Sequence, residues 1–91
     1  MRFTWDERKR LANLRDHGFD FRDAHSVFEG PTYTFEDDRF SYRERRLVTL
    51  GFFGGVSVSL VHTESPSVIR VISFRRATRH EEIIFFENLQ D

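Results

Sequence analysis

Residues 69–81 read Ile-Arg-Val-Ile-Ser-Phe-Arg-Arg-Ala-Thr-Arg-His-Glu, and this stretch decides the fold. Its first half alternates β-branched and other side chains, which predicts a strand, and its second half predicts the start of a helix. Four arginines therefore gather where a strand ends and a helix begins. Guanidinium groups at that spacing repel one another unless solvent, carboxylates or a polyanion neutralises them. The stretch thus indicates a place where charged ligand groups collect.

The composition around this stretch is that of a small globular domain. The chain has 91 residues, 38% of them hydrophobic and 32% charged, and its 11 phenylalanines must fill most of one modest core. Because there is no cysteine, neither a disulfide framework nor a thiolate metal site is expected. No apolar run is long enough to span a membrane and the N-terminus is not signal-like, so we expect one cytoplasmic domain over residues 1–91.

A net charge of −1 conceals a basic middle. Residues 1–38 hold six Lys or Arg against nine Asp or Glu, residues 39–80 hold eight arginines against two glutamates, and residues 81–91 hold four acids. The middle therefore has an excess of six positive charges, all from arginine, whose planar fork binds phosphate bidentately. This distribution favours a polyanionic or acidic partner, although a block of charge is also typical of a solvated face.

The first third of the chain predicts a short strand and two helices. After a strand over residues 2–5, Asp6 is placed to cap a helix that Gly18 ends. A second helix begins after Asp20 and stops at Gly30-Pro31. Two helices joined by a tight turn also resemble a DNA-reading helix-turn-helix, but the acids at the start of the second helix would meet phosphate there.

The remainder predicts an antiparallel meander of four strands and a final helix. The strands cover residues 32–35, 45–53, 56–63 and 68–74, and they are separated by a polar loop over 36–41, a hairpin at Gly54-Gly55 and a turn at 64–67. In the third of these strands Val56, Val58 and Leu60 form the core-facing side. The final helix covers residues 78–89, with Thr78 and Glu81 in capping-box positions. The predicted class is α+β.

Three stretches of the chain form a recognisable pattern in this order. They are Phe3-x-Trp5-Asp6-x-x-Lys9-x-x-x-Asn13-x-x-x-His17-Gly18-x-x-Phe21-x-x-Ala24-x-x-x-Phe28, then Glu44-x-Arg46-x-x-x-x-Gly51, then Arg70-x-Ile72-Ser73-x-Arg75-x-Ala77-Thr78-Arg79-x-Glu81. In this pattern the chain resembles the BrnT family of type II toxins over nearly its whole length. Many members have Tyr-Thr-x-Arg at the end of the third meander strand, whereas this chain has His62-Thr63-Glu64-Ser65.

The resemblance implies a fold, an activity and a partner. The fold would be RelE-like, and the activity would be that of a ribonuclease toxin that inhibits translation. A cognate antitoxin of the BrnA type would neutralise it. Because that antitoxin carries the DNA-binding domain in the family, operator DNA would be met only indirectly, through the antitoxin.

The arginines are the first candidates for catalysis by this chain. Metal-free RNA cleavage by the 2′-oxygen needs a base, an acid and cations that stabilise the developing negative charge. Arg75 and Arg79 are predicted to supply that positive charge, with Arg46 from a neighbouring strand as a third. The alternative for each is a surface ion pair with the acidic flanks.

Two further residues are candidates for the acid and the base. His62 continues the core-facing side of its strand by period two, so we expect it to emerge where a cleft lies, as an acid or base that titrates near neutrality. Its alternative is a half-buried histidine bonded to a carbonyl. Glu81 competes as the general base, with the capping box as its structural alternative.

Substrate binding is predicted for five other residues of the chain. Lys9 is placed to bind phosphate from the first helix, and Trp5 to stack on a base unless it is a core anchor. Arg45, Arg70 and Arg76 complete the predicted RNA-binding set.

No cofactor or metal is expected. Glu36, Asp37 and Asp38 are consecutive, so they cannot easily converge on one ion, and no pair of histidines with ligand spacing accompanies them. We expect a solvated acidic loop there.

A second functional interpretation is a catalytically weak or inactive subunit that binds the antitoxin and acts in operon autorepression. In that case the arginines would engage an acidic segment of the antitoxin. The two interpretations differ in whether Arg75→Ala abolishes cleavage or weakens the complex.

Overall fold

A computed structural model describes residues 1–39 and 43–89, so part of the predicted 36–41 loop and the last two residues of the chain lie outside the described residues. The predicted α+β class is confirmed. The elements are β1 (Arg2–Thr4), α1 (Glu7–His17), a short 3-10 helix (Phe21–Asp23), α2 (Ala24–Val27), β2 (Tyr33–Glu36), β3 (Leu47–Phe53), β4 (Val56–Ser65), β5 (Val68–Arg76) and α3 (Arg79–Glu87).

Helix α1 begins and ends as predicted. The side chain of Asp6 accepts a hydrogen bond from the backbone N–H of Lys9 at 3.1 Å, which satisfies one free donor of the first turn. At the other end, Gly18 has a φ of 77°, a conformation that costs glycine little, and its N–H donates to the carbonyl of Leu14. These local caps fix where the helix starts and stops.

The predicted second helix is shorter and less regular than expected. Asp20 does cap its start, but the chain forms a 3-10 helix followed by only four residues of α-helix. Val27 packs so closely on β3 that a Cβ added at Gly51 would lie 2.7 Å from its Cγ1. Because α2 is this short and its Ala24 and Val27 are buried, it presents no recognition helix to DNA.

The five strands form one mixed sheet in the order β1-β5-β4-β3-β2. Strands β2 to β5 are antiparallel neighbours, as predicted, and β1 lies parallel to β5 at the edge, with Phe3 opposite Ile69. Gly54 and Gly55 both have positive φ, at 58° and 82°, which is what a type I′ hairpin between β3 and β4 requires.

Both faces of the sheet are covered, whereas the sequence predicted one core-facing side of β4. On one face Val58 and Leu60 pack with the 3-10 helix and α2; on the other Val61 packs with Phe85 of α3. Ser57 and Ser59, on the side of β4 opposite to Val58 and Leu60, are buried, and their hydroxyls donate to Glu82 and Glu81 of α3. The core is therefore two layers of side chains with the sheet between them.

Helix α3 crosses the second face, and its predicted capping box is confirmed. Thr78 accepts from the N–H of Glu81 at 3.1 Å, and the Glu81 carboxylate accepts from the N–H of Thr78 at 2.9 Å. The hydroxyl of Ser57 donates to the carboxylate of Glu82, which ties the first turn to β4. No helix among the described residues is both long and apolar enough to cross a membrane.

Candidate active site

A cavity of about 340 Å³ opens on the α3 face of the sheet, between the segment that follows β2 and the first turn of α3. Its walls are apolar where the sheet forms them and charged where the two chain segments meet. The lining residues are Phe35, Glu36, Asp37, Asp38, Arg39, Val48, Arg75, Thr78, His80, Glu81 and Ile84. Two of the predicted catalytic residues, Arg75 and Glu81, are among them.

Arg75 and Glu81 form a bidentate ion pair inside this cavity. Arg75 Nη1 lies 2.8 Å from Glu81 Oε1, and Nη2 lies 3.1 Å from Oε2. Their side chains are 24% and 15% exposed, so solvent screens the pair less than it would on the surface. Arg75 lies on the side of β5 that faces the cavity, and the capping box of α3 holds Glu81 opposite it.

Glu81 has little remaining capacity to act as a base. Besides Arg75, it accepts from the N–H of Thr78 at 2.9 Å and from the Ser59 hydroxyl at 3.4 Å. Burial alone would raise the pKa of Glu81, but the hydrogen bonds from Arg75 and Thr78 outweigh it and hold the pKa below its ordinary value. The carboxylate is therefore ionised near neutrality and anchors the guanidinium.

The opposite wall contributes a second ion pair. Arg39 Nε lies 2.8 Å from Asp37 Oδ1, and Arg39 Nη2 lies 3.0 Å from Asp37 Oδ2. Asp37 is buried, so the expectation of a wholly solvated acidic loop is wrong at this residue, while Glu36 and Asp38 are exposed. Within residues 1–39 and 43–89, no three His, Cys, Asp or Glu side chains converge to form a metal site.

His80 also lines the cavity, and the sequence did not identify it as a site residue. It is the second residue of α3 and exposed, beside Glu81 in the chain. The available signal was the capping box: once Thr78 is the N-cap, His80 is fixed as the second residue of the first turn, next to Glu81. Which side of the first turn meets a cavity depends on the packing of α3, which periodicity does not reveal.

The arginines of residues 69–81 do not form one patch. Side chains alternate along β5, so Arg75, opposite Ser59, and Arg76, opposite Val58, lie on different faces of the sheet. Arg79 is exposed in the first turn of α3 and is not part of the cavity lining. Arg46 is half-buried just before β3, where its carbonyl accepts from the N–H of Asp37 at 2.8 Å.

The expectation that His62 emerges at a cleft is wrong. It is 0% exposed and faces the α1 side of the sheet, opposite to the cavity. Its Nε2 lies 2.7 Å from Thr49 Oγ1, and its ring meets Phe28 edge-on with the centroids 5.5 Å apart. Strand β4 continues three residues past His62, so this is strand interior rather than a strand end. Its partner is a hydroxyl and not the carbonyl of the alternative interpretation.

Lys9 and Trp5 also lie on the α1 side. Lys9 is exposed on α1. Trp5 is half-buried against the core and donates from Nε1 to Glu7 Oε1 at 3.3 Å, which supports the core-anchor alternative over base stacking. Neither residue lines the cavity.

A second cavity, of about 360 Å³, brings together two residues predicted to bind substrate. Arg45 and Arg70 line it, and each is already paired: Arg45 Nε lies 3.3 Å from Glu36 Oε2, and Arg70 donates to the Glu44 carboxylate. These pairs are exposed, so each contributes little to stability and exchanges readily with another anion.

The first cavity combines a guanidinium, an imidazole and a half-buried carboxylate that anchors the guanidinium, which is the donor set expected of a domain that acts on phosphodiesters. Over residues 5–81 the sequence matches the family described as the ribonuclease toxin BrnT of type II toxin-antitoxin systems. The chain belongs to this family.

A solved structure supports the same assignment. The chain is similar to the Brucella abortus ribonuclease toxin BrnT, known at 1.1 Å resolution, with 30% sequence identity and a TM-score of 0.68. The match covers 87% of this chain and 99% of that one. Comparison with curated protein sequences finds no match. Membership in a type II toxin family implies an antitoxin partner.

Proposed function

We propose that this chain is a metal-independent endoribonuclease that inhibits translation in the cytoplasm until a BrnA-type antitoxin neutralises it. The observation that carries this proposal is the position of Arg75: a guanidinium held in a cavity that an imidazole also lines, in a member of a ribonuclease toxin family. The RelE-like relationship and an indirect role at operator DNA stay predictions.

Arg75 has a free edge for a phosphate. Within the described part of the chain its hydrogen bonds use three of the five N–H donors of a guanidinium: two go to Glu81 and one goes from Nη1 to the carbonyl of Arg76. The Nε–H and the second Nη2–H remain, and together they form the fork that binds two phosphate oxygens. Glu81 therefore fixes the orientation of Arg75 without occupying this edge.

The chemistry follows from these positions. The 2′-hydroxyl gives its proton to His80 and its oxygen bonds to phosphorus, while the bond from phosphorus to the 5′-oxygen breaks and solvent protonates the departing oxygen. Arg75 stabilises the negative charge that develops on the phosphoryl oxygens. The products are a 2′,3′-cyclic phosphate and a 5′-hydroxyl. In this proposal Arg79, Arg46 and His62 have no part in the reacting centre.

The test is cleavage of a labelled RNA by the purified, antitoxin-free chain in excess EDTA. Arg75→Ala should lower kcat by about 10²–10³, as expected for the loss of one preorganised donor to the developing charge. Arg15→Ala is the matched control, because it removes another carboxylate-paired arginine, on α1. Equal cleavage by the Arg75 variant, or cleavage that EDTA abolishes, would contradict the proposal.

One observation favours the second candidate function, an antitoxin-binding subunit with little activity. Glu81 already neutralises Arg75, as an acidic segment of the antitoxin would. If the chain is such a binding subunit, the folded wild-type chain leaves RNA intact. Arg75→Ala then weakens the complex with the antitoxin, because there is no cleavage to lose. The same two variants therefore separate the two functions.

A further inference from the structure

The outer side of α3 presents large apolar side chains that the fold does not use. Ile83 and Phe86 are 47% and 50% exposed and lie one helical turn apart. Phe52 of β3, 38% exposed, lies beside them. A single exposed apolar residue needs no explanation, but adjacent ones form a patch of the kind that marks an interaction surface. We call these three residues the α3 patch.

The α3 patch is anchored in the core. The ring of Phe52 lies 4.9 Å from that of the buried Phe85 and 6.2 Å from that of Phe86, measured between centroids. Strand β4 pairs Phe52 with Ser57, but on the other side β2 pairs with β3 only up to Leu50, so no strand accompanies Phe52 there. The aromatic side chains of the patch are thus held by packing, so a partner that binds them loses little free energy in ordering them.

Charged residues border the α3 patch at both ends. Arg79 lies four residues before Ile83, on the same side of the helix, and Glu87 lies four residues after it; both are exposed. A complementary partner has apolar anchors in the middle, a carboxylate opposite Arg79 and a cation opposite Glu87. An amphipathic helix packed across α3 supplies that arrangement.

We propose that the antitoxin docks an amphipathic helix on the α3 patch. The proposal rests on the toxin family only for the existence of a protein antitoxin. Helix α3 has two functional sides in this arrangement: its outer side binds the partner, and Thr78, His80 and Glu81 of its first turn line the cavity. An antitoxin helix bound over Ile83 and Arg79 reaches the rim of that cavity. Binding of the antitoxin at the α3 patch would therefore also neutralise the toxin.

Helix α1 offers the internal comparison. Leu11 and Leu14 are also exposed apolar residues three apart, 53% and 38% exposed. No residue of α1 lines the cavity, and leucine is under-represented among residues that dominate binding energy, whereas aromatic residues are enriched in interface cores. A partner bound there would leave the cavity open. These two leucines therefore form a matched control pair.

The experiment compares Ile83→Ser/Phe86→Ser with Leu11→Ser/Leu14→Ser in calorimetric titration of the full-length chain with the purified cognate antitoxin. The α3 double variant should raise the Kd by about 10²-fold or more, because two central apolar anchors are lost. The α1 pair should bind within about threefold of wild type. Urea unfolding checks that both remain folded. If the α3 double variant fails to fold, the charge reversal Glu87→Arg takes its place, with an expected loss of about tenfold.

Unchanged antitoxin affinity in the folded α3 variant would overturn the proposal. So would a loss of self-association by that variant with antitoxin binding intact, because the patch would then serve a second copy of this chain. RNA cleavage is measured separately: a wild-type chain that leaves RNA intact, together with an α3 variant that has lost the antitoxin, removes the proposed activity and leaves the docking surface standing.

Discussion

Two histidines of this chain differ in how far they are exposed to solvent, and this difference decides what each can do. His80 is exposed and lines the cavity, where we have proposed that it accepts the proton of the 2′-hydroxyl. His62 is fully buried, and burial lowers its pKa, although Glu64, whose Oε1 lies 3.7 Å from Nδ1, partly offsets this. The folded protein therefore holds His62 in its neutral form, bonded to the hydroxyl of Thr49.

A pH dependence of stability follows from His62. Because its folded pKa is lowered, the unfolded chain binds the proton more readily, so the stabilisation is complete above the ordinary histidine pKa of about 6.5 and is lost as pH falls below it. Between about pH 7.5 and about pH 5.5 the urea midpoint of wild type should fall more than that of His62→Gln, whose amide does not titrate. His17→Gln, at an exposed site on α1, should behave like wild type. Equal falls in wild type and His62→Gln would rule out this role.

At the scale of elements, one asparagine joins α1 to the sheet. Strand β1 accompanies β5 only as far as Arg70, which leaves the edge of β5 unpaired at Phe74. Asn13 takes over there: its Nδ2 donates to the Phe74 carbonyl at 2.7 Å, and its Oδ1 accepts from the Phe74 N–H at 3.1 Å. The same Nδ2 donates to the carbonyl of Phe19 at 2.9 Å. A side-chain amide thus continues the ladder that β1 began.

Removal of this amide should be costly. In Asn13→Ala the buried N–H and carbonyl of Phe74 lose their partners, and we expect a loss of about 2–4 kcal/mol in the free energy of unfolding. Asn88→Ala is the control, because Asn88 is exposed and its side-chain amide donates to the carbonyl of Ile84 at the end of α3; its effect should be about 0.5 kcal/mol. Urea denaturation measures both. Similar midpoints for the two variants would show that the Asn13 bonds contribute nothing specific.

At the scale of the whole molecule, the arginines of the basic middle are divided among separate ion pairs. Arg39, Arg45, Arg70 and Arg75 each pair with a carboxylate, and three of those carboxylates come from the acidic flanks on either side. The excess of six charges that the sequence indicates is therefore not one bare patch. A polyanion meets several small basic sites, most of them already in competition with an acid.

Competition from these carboxylates should reduce the salt dependence of binding to single-stranded nucleic acid. Six phosphate contacts would give a slope of about −4 in a plot of log affinity against log salt concentration, at about −0.7 per contact; we expect about −2 or shallower. A deoxyoligonucleotide, which has no 2′-hydroxyl to react, serves as the probe. Glu44→Gln, which removes the partner of Arg70, should steepen the slope. A slope near −4 for wild type would mean that the carboxylates do not compete.

The sequence by itself determined what depends on near neighbours in the chain. Asp6, Gly18, Gly54 and Thr78 mark helix and hairpin ends because capping and positive φ are settled within about four residues. The alternation of the strands and the motifs that resemble the BrnT family are local in the same sense, and each led to a correct element or family.

Only the tertiary structure decided which side chains meet. Periodicity shows that His62 and Leu60 share a face of β4, but not that helices cover both faces, so His62 was expected in a cleft and lies in the core. Arg75 and Arg76 are adjacent in sequence and on opposite sides of the sheet. Arg39, Arg75 and His80 share one cavity because the segment after β2, the end of β5 and the first turn of α3 line it together, and such contacts between distant residues are chosen by burial and close packing rather than by any local rule.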